Sequence, residues 1–315
     1  MPHWLLKSAL QRVVSMLPHR QKWNELFQKF GTRSLDIGTG QLQTRLEHTR
    51  THLDNFLKFQ DEGNPTSNEF TVLELGTGWY PWIALGLRLC GAGEIWTIDI
   101  DPLLRSERIG QLVRLLCEFD DQKKLQILLP HAQRKRIDQL REWADLADFE
   151  PPEQFLKRFN IHVLVGDAQK TSLPSGSIDL FCSTGVLEYL PPPVFRGILA
   201  EFRRLGSPKA IMSHWVSLID QFSYFDRSIT PFNFLKYTQR QWRYLNSPLI
   251  WQNRMRINDY RTLLSEGGYQ ILQETNVSGK PEDLATIRLA PEFQSYATED
   301  LLVLTSWLVA KPIRG

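Results

Sequence analysis

The stretch from Thr71 to Pro102, TVLELGTGWYPWIALGLRLCGAGEIWTIDIDP, restricts what this chain can fold into more than any other. Thr71 to Leu75 is a short apolar run suited to a buried strand, and the bare turn Gly76-Thr77-Gly78 breaks it. A helix follows. Pro81 suits its first turn, where the missing N–H would be unpaired anyway, and Trp82, Ile83, Leu85, Leu87 and Leu89 supply apolar surface. Gly91-Ala92-Gly93 ends that helix, Glu94 to Ile98 reads as a second strand, and Asp99 stands at its tip. The spacing predicts a strand–turn–helix–strand unit, with an adenosine over the glycine turn and the carboxylate accepting both ribose hydroxyls.

A dinucleotide site needs a third glycine three residues after the second, so that the pyrophosphate can approach the helix amino end. Here Pro81 occupies that place. The bulky Trp79-Tyr80-Pro81 suits a ligand without phosphates, so the residues favour S-adenosyl-L-methionine over NAD. Asp101 rivals Asp99 for the ribose, but Asp99 fits the strand tip better and Asp101, before Pro102, reads as a cap.

At this point the chain resembles the class I S-adenosylmethionine-dependent methyltransferases, of the type 11-like, small-molecule kind. Their first motif is an acid, any residue, then G-x-G, and Glu74-Leu75-Gly76-Thr77-Gly78 matches it. The resemblance implies a Rossmann-like, doubly wound α/β sheet of seven strands ending in an antiparallel pair. It also implies a cofactor set of Glu74, Gly76, Thr77, Gly78, Asp99, Ile100, Asp167, Ala168 and Ser183. Glu74 would support the methionine amine. Asp167 follows a third strand, Ile161 to Val165, and as a fixed acceptor it would read the adenine amine, with the backbone N–H after it on the ring. The phrase STGVLEYLP, from Ser183 to Pro191, looks like the family's fourth motif, facing the methionine part of the cofactor. Three departures stand out: Tyr80 where the family often has glycine, Glu188-Tyr189 where many small-molecule members carry Glu-His, and Gly206-Ser207-Pro208-Lys209 for the usual Pro-Gly-Gly turn.

With 315 residues, 42% apolar and 23% charged, the chain holds an ample core, and a net charge of +2 argues against nucleic acid as a general partner. Cys90, Cys117 and Cys182 are far apart and odd in number, which argues against a disulfide framework or a zinc site. No metal is expected. No apolar run reaches the roughly 20 residues of a membrane span, and the expected location is cytoplasmic.

The expected organisation is an N-terminal helical segment over 1–69 and a methyltransferase domain over 70–315, with helical insertions at about 104–160 and 216–256. Leu5, Leu6, Ala9, Leu10, Val13, Val14 and Leu17 form one helical stripe, with Lys7, Gln11 and Arg12 opposite. Six cations against Glu25 make the opening segment basic, so residues 1–30 fit either a cover for the core or a weak contact with an acidic membrane surface. Leu35-Asp36-Ile37-Gly38-Thr39-Gly40 copies the glycine motif, but no second strand with a terminal acid follows; it reads as a turn before a helix over Gln41 to Gln60. Asp61 to Asn68 reads as a linker.

Between Ser213 and Arg256, aromatic and charged residues crowd after the fifth strand, where an open α/β sheet presents its ligands. That mixture suits a pocket for a partly apolar acceptor, a single-stranded nucleic-acid platform, or a packed lid. Glu188, His214, Asp220 and Tyr224 are the candidate catalytic groups. The expected activity is S-adenosylmethionine-dependent methyl transfer to a small, partly apolar molecule. A nucleic-acid methyltransferase and an inactive binding protein of the same fold are the alternatives. No stable protein partner is inferable.

Overall fold

The computed structural model describes residues 3–15, 37–60, 69–246 and 251–313. Among the described residues, two helices, α1 (His3–Ser15) and α2 (Thr39–Phe59), precede the sheet. The decoy motif therefore ends in the first turn of α2, as read from the sequence, although Leu35 and Asp36, like the linker 61–68, lie outside the described residues. Next come β1 (Thr71–Leu75), α3 (Trp82–Leu89) and β2 (Glu94–Asp99). The insertion after β2 contains α4 (Ser106–Asp121), α5 (Lys124–Leu128), α6 (Arg134–Glu142) and α7 (Pro152–Lys157). Then follow β3 (Ile161–Val165), β4 (Ile178–Thr184), α8 (Pro192–Leu205) and β5 (Gly206–Ser217). After β5 come α9 (Gln239–Leu245), α10 (Ile257–Glu266), β6 (Tyr269–Ser278), α11 (Pro281–Ala285), α12 (Thr298–Leu302) and β7 (Val303–Pro312).

The strands form one seven-stranded sheet in the order β3-β2-β1-β4-β5-β7-β6. β1 to β5 are parallel, and β7 runs antiparallel between β5 and β6. This is the doubly wound order with an antiparallel carboxyl-terminal pair expected above. Because the direction of winding reverses between β1 and β4, their carboxyl ends open the crevice where such sheets bind ligands. The two faces follow from the period of two along β1: Val72 enters one core with α2, α3 and the insertion helices, while Leu73 and Leu75 enter the other with α8 and α10. The Gly206-Ser207-Pro208-Lys209 segment is not a turn but the start of β5, with Gly206 paired to Ile178.

A third core lies beyond the sheet, built from Phe222, Phe232, Phe234 and Trp242 with Trp4 of α1. It corrects the stripe read on α1. The buried positions are Trp4, Ser8 and Gln11, whereas Leu6 and Leu10 are exposed. The indole explains the choice, since it is the largest apolar group of the helix and packs 5.3 Å from Phe222 and 5.9 Å from Tyr237. The polar face then finds acceptors at the end of α9, where the Ser8 hydroxyl donates to the Leu245 carbonyl at 2.5 Å and Arg12 to that of Arg243 at 3.0 Å.

Helix α2 is tied to the sheet by polar contacts unusual for such a layer. His52 bridges Ser213 Oγ at 3.0 Å and Thr184 Oγ1 at 2.9 Å, and Asn55 donates to the same Ser213 hydroxyl at 3.0 Å. His48 packs against Trp215 and Trp307. Close approach of α2 to α3 depends on Gly86, where a Cβ would come within 2.7 Å of the Thr49 side chain.

Candidate active site

The glycine turn and the acid at the tip of β2 meet. Gly78 N–H donates to Asp99 Oδ2 at 2.9 Å, Asp101 N–H donates to Asp99 Oδ1 at 3.2 Å, and Gly76 N–H donates to the Ile98 carbonyl at 2.7 Å. Gly76 and Gly78 have φ of +82° and +66°, a left-handed backbone that other residues adopt only with strain. At Gly76 a Cβ would also collide with Val186, whereas the space above Gly78 is open. Tyr80, at the place where the resembled family often has glycine, turns its ring into the core, its hydroxyl donating to Gln111 at 3.2 Å, so it leaves the turn clear.

Beside Asp99 lies a cleft of about 300 Å³, lined by Thr77, Gly78, Leu104 and Val165 and closed by Pro152 and Glu153 of α7. The insertion thus walls the site. Ile100 and Val165 stay 69% and 52% exposed at the tips of β2 and β3, apolar surface suited to a flat ring. Burial pushes Asp99 above the usual carboxylate range, opposed by the Gly78 and Asp101 amides. Asp167 stands exposed after β3, where its carboxylate accepts from the Gln169 backbone at 2.9 Å and from the Gln169 side chain. Ala168 is buried in the second core. Ser183 is buried too, its hydroxyl turned to His214 Nδ1 at 2.7 Å.

Glu74 is the buried acid of the motif. It accepts from Thr97 Oγ1 at 3.3 Å, and Thr97 in turn shares a short hydrogen bond with Thr77. Burial pushes its carboxyl up to about 8. Glu188 lies on the turn after β4, only 4% exposed, and burial likewise raises it to about 8, against the N–H groups of Ser217 and of Glu188 itself. Its Oε2 has no hydrogen-bond partner. Asn253 holds this turn through its N–H to the Glu188 carbonyl at 2.8 Å and its amide to the Leu187 carbonyl at 2.8 Å. Tyr224, 61% exposed, lies beside the same place with its hydroxyl 3.4 Å from Ser217 Oγ.

The four candidate catalytic groups therefore separate. Glu188 and Tyr224 are joined through Ser217. His214 is 2% exposed between sheet and α8, with its ring parallel to Phe202, and burial brings it down to about 3. Asp220 is fully buried and caps a turn, accepting from Phe222 N–H at 2.9 Å and Asn233 at 2.9 Å. Sequence reading missed Arg45, Ser217 and Asn253. Arg45 carried no signal, because a cation on the polar side of an amphipathic helix looks like a solvated one.

The raised carboxyls set a pH dependence. Glu74 and Glu188 have folded values near 8, above an unfolded 4.5, so the folded state binds more protons over that window and loses stability as pH rises through it. The buried His48 and His214, brought down to about 4 and 3 by burial, act in the opposite sense only below 6.5. Lys7, brought down to about 7 by burial, opposes the two carboxyls only above that value. The melting temperature of the ligand-free protein is expected to fall between about pH 6.5 and 8. In the double variant Glu74→Gln/Glu188→Gln the calorimetric profile over that range should be flat or rising.

Among known proteins, the Methyltransferase domain family matches residues 132–213. A protein of Pyrococcus horikoshii OT3 is similar in structure, with a TM-score of 0.49, 14% identity, and 91% of this chain and 98% of that chain covered. An S-adenosylmethionine-dependent methyltransferase from Methanosarcina mazei is 14% identical over 82% of this chain and 97% of its own, with a TM-score of 0.43. Geranyl diphosphate C-methyltransferase from Streptomyces coelicolor A3(2) is 10% identical over 84% of this chain and 79% of its own, with a TM-score of 0.44. No curated protein matches the chain. That domain match and the order of the seven strands make the chain similar to the class I S-adenosylmethionine-dependent methyltransferases, enzymes whose methyl donor is S-adenosyl-L-methionine.

Proposed function

We propose that this enzyme methylates a small, partly apolar acceptor at the carboxyl ends of β1 and β4. The donor half of the reading rests on the meeting of Gly78 and Asp99 beside an open cleft. Asp99 would take the ribose hydroxyls, the Gly76-Thr77-Gly78 backbone would pass under the nucleoside, Ile100 and Val165 would flank the adenine, and Glu74 would face the amino-acid end. S-adenosylmethionine supplies an electrophilic methyl carbon when bound, so the protein's task is to orient and desolvate the two partners.

The acceptor half rests on one observation: a buried carboxyl, Glu188, with an unpaired oxygen at the end of β4, beside the exposed rings of Tyr189 and Tyr224. A base poised near 8 takes a proton from an acceptor hydroxyl or amine as its carbon bond forms. The aromatic rings supply the apolar rim. Much of the remaining aromatic content after β5 fills the third core, which supports a small acceptor bound at the rim over an extended stacking platform.

Incubation with methyl-tritiated donor and fractionated cell extract tests this: label is expected in the small-molecule fraction, and label confined to RNA would sink the reading. Glu188→Gln should leave S-adenosylhomocysteine affinity within about twofold and slow label transfer by about 100-fold or more. Transfer by the parent enzyme should rise with pH up to about 8, as the base form of Glu188 fills. A variant transferring at the parent rate removes Glu188 from the chemistry.

A further inference from the structure

We propose that Arg45 of α2 is a carboxylate-binding residue of the methyl-transfer cleft, an assignment that rests on the reading of that cleft given above. Its position follows from how α2 is tied down. His52 touches Ser213, and His48, one turn earlier, packs on Trp215, so α2 runs against β5 with its amino end toward the carboxyl ends of the strands. Arg45 lies two turns before His52 on the same side of the helix, about 10 Å further along, beyond the end of β4. There its charge acts on Glu74, Glu188 and Tyr189.

Three observations mark this guanidinium as waiting for a ligand. No hydrogen bond or ion pair engages it among the described residues, although burial lowers its pKa and so acts against its charge. The two carboxyls that feel its charge do not neutralise it: both are held largely protonated near pH 7, and Glu188 Oε2 stays unpaired. A half-buried fork of N–H donors with no acceptor among the described residues is open to a planar carboxylate, which pairs with it in bidentate fashion. The carboxylate has two sources, the amino-acid end of the donor or an acidic acceptor, and α2, which lies outside the segment matched by the methyltransferase family, would close the site over either one.

Calorimetric titration of the parent, Arg45→Met and Arg45→Lys separates the sources, with thermal melting to confirm that each variant is folded. If the donor supplies the carboxylate, Arg45→Met binds S-adenosylhomocysteine about 10- to 100-fold more weakly. It then binds methylthioadenosine, which lacks the amino-acid end, as the parent does, and Arg45→Lys recovers part of the loss. If the acceptor supplies it, Arg45→Met binds S-adenosylhomocysteine normally. Benzoate and octanoate then bind the S-adenosylhomocysteine-loaded parent and Arg45→Lys but not loaded Arg45→Met. Parent affinities retained by Arg45→Met for both nucleosides and both acids overturn the assignment alone. A parent protein that binds neither nucleoside overturns the cleft reading and this assignment together.

Discussion

Asp99→Ala is expected to weaken S-adenosylhomocysteine binding by about 1–3 kcal/mol, roughly a 5- to 150-fold rise in Kd. Two effects add. With the donor placed as proposed, its ribose hydroxyls lose their charged acceptor, and the Gly78 and Asp101 amides lose the acceptor that holds the glycine turn against β2. The second effect distinguishes this position from an ordinary ligand contact: Asp99→Asn keeps an acceptor for one amide and should lose less. Titration calorimetry with S-adenosylhomocysteine checks both. Since Asp99 is half-buried and its pKa is raised by burial, removing it should leave the melting temperature of the free protein little changed. Affinity within twofold of the parent in Asp99→Ala would mean that the sugar is held elsewhere.

Arg256→Met should cost about 3–5 kcal/mol of stability. Arg256 is fully buried, yet its guanidinium donates to the carbonyls of Leu218 and Leu301, each at 2.7 Å, and to that of Val303. These carbonyls belong to the chain leaving β5 and the chain entering β7, so one side chain joins the third core to the sheet. Burial lowers its pKa to about 10, which still leaves it charged at neutral pH. Methionine fills much of the space and donates nothing, so three buried carbonyls lose their partner at once, each worth about 1–3 kcal/mol before relaxation. Urea denaturation checks the loss, and a shift of less than about 1 kcal/mol would show that water or a rearranged loop satisfies the carbonyls.

The strand–turn–helix–strand core was legible because each of its signals is local. Leu75 to Pro81 shows this: β1 ends where its apolar run ends, the glycines take positive φ where no side chain fits, and α3 begins just beyond Pro81. Asp99 was legible for the same reason, standing at the last position of β2. The α1 stripe failed because helical period reports which residues share a face and not which face a neighbour covers. Trp4 with Ser8 and Gln11 outcompeted a longer apolar row. The burial of His214 and Asp220 was not legible because strand position shows how near a group is to the crevice, while the direction of the side chain depends on register and on neighbours such as Phe202 and Asn233.

The sequence by itself determined the strand–turn–helix–strand unit, its glycine turn and the acid that meets it, since strand length, turn chemistry and helix period are properties of neighbouring residues. Tertiary structure alone decided which charges act on one another. Arg45 and Glu188 come from a helix before the first strand and a turn after the fourth, and they approach only because α2 is hydrogen-bonded along β4 and β5. Removal from water then shifts those groups far from their solution behaviour, and no spacing along the chain encodes burial of that kind.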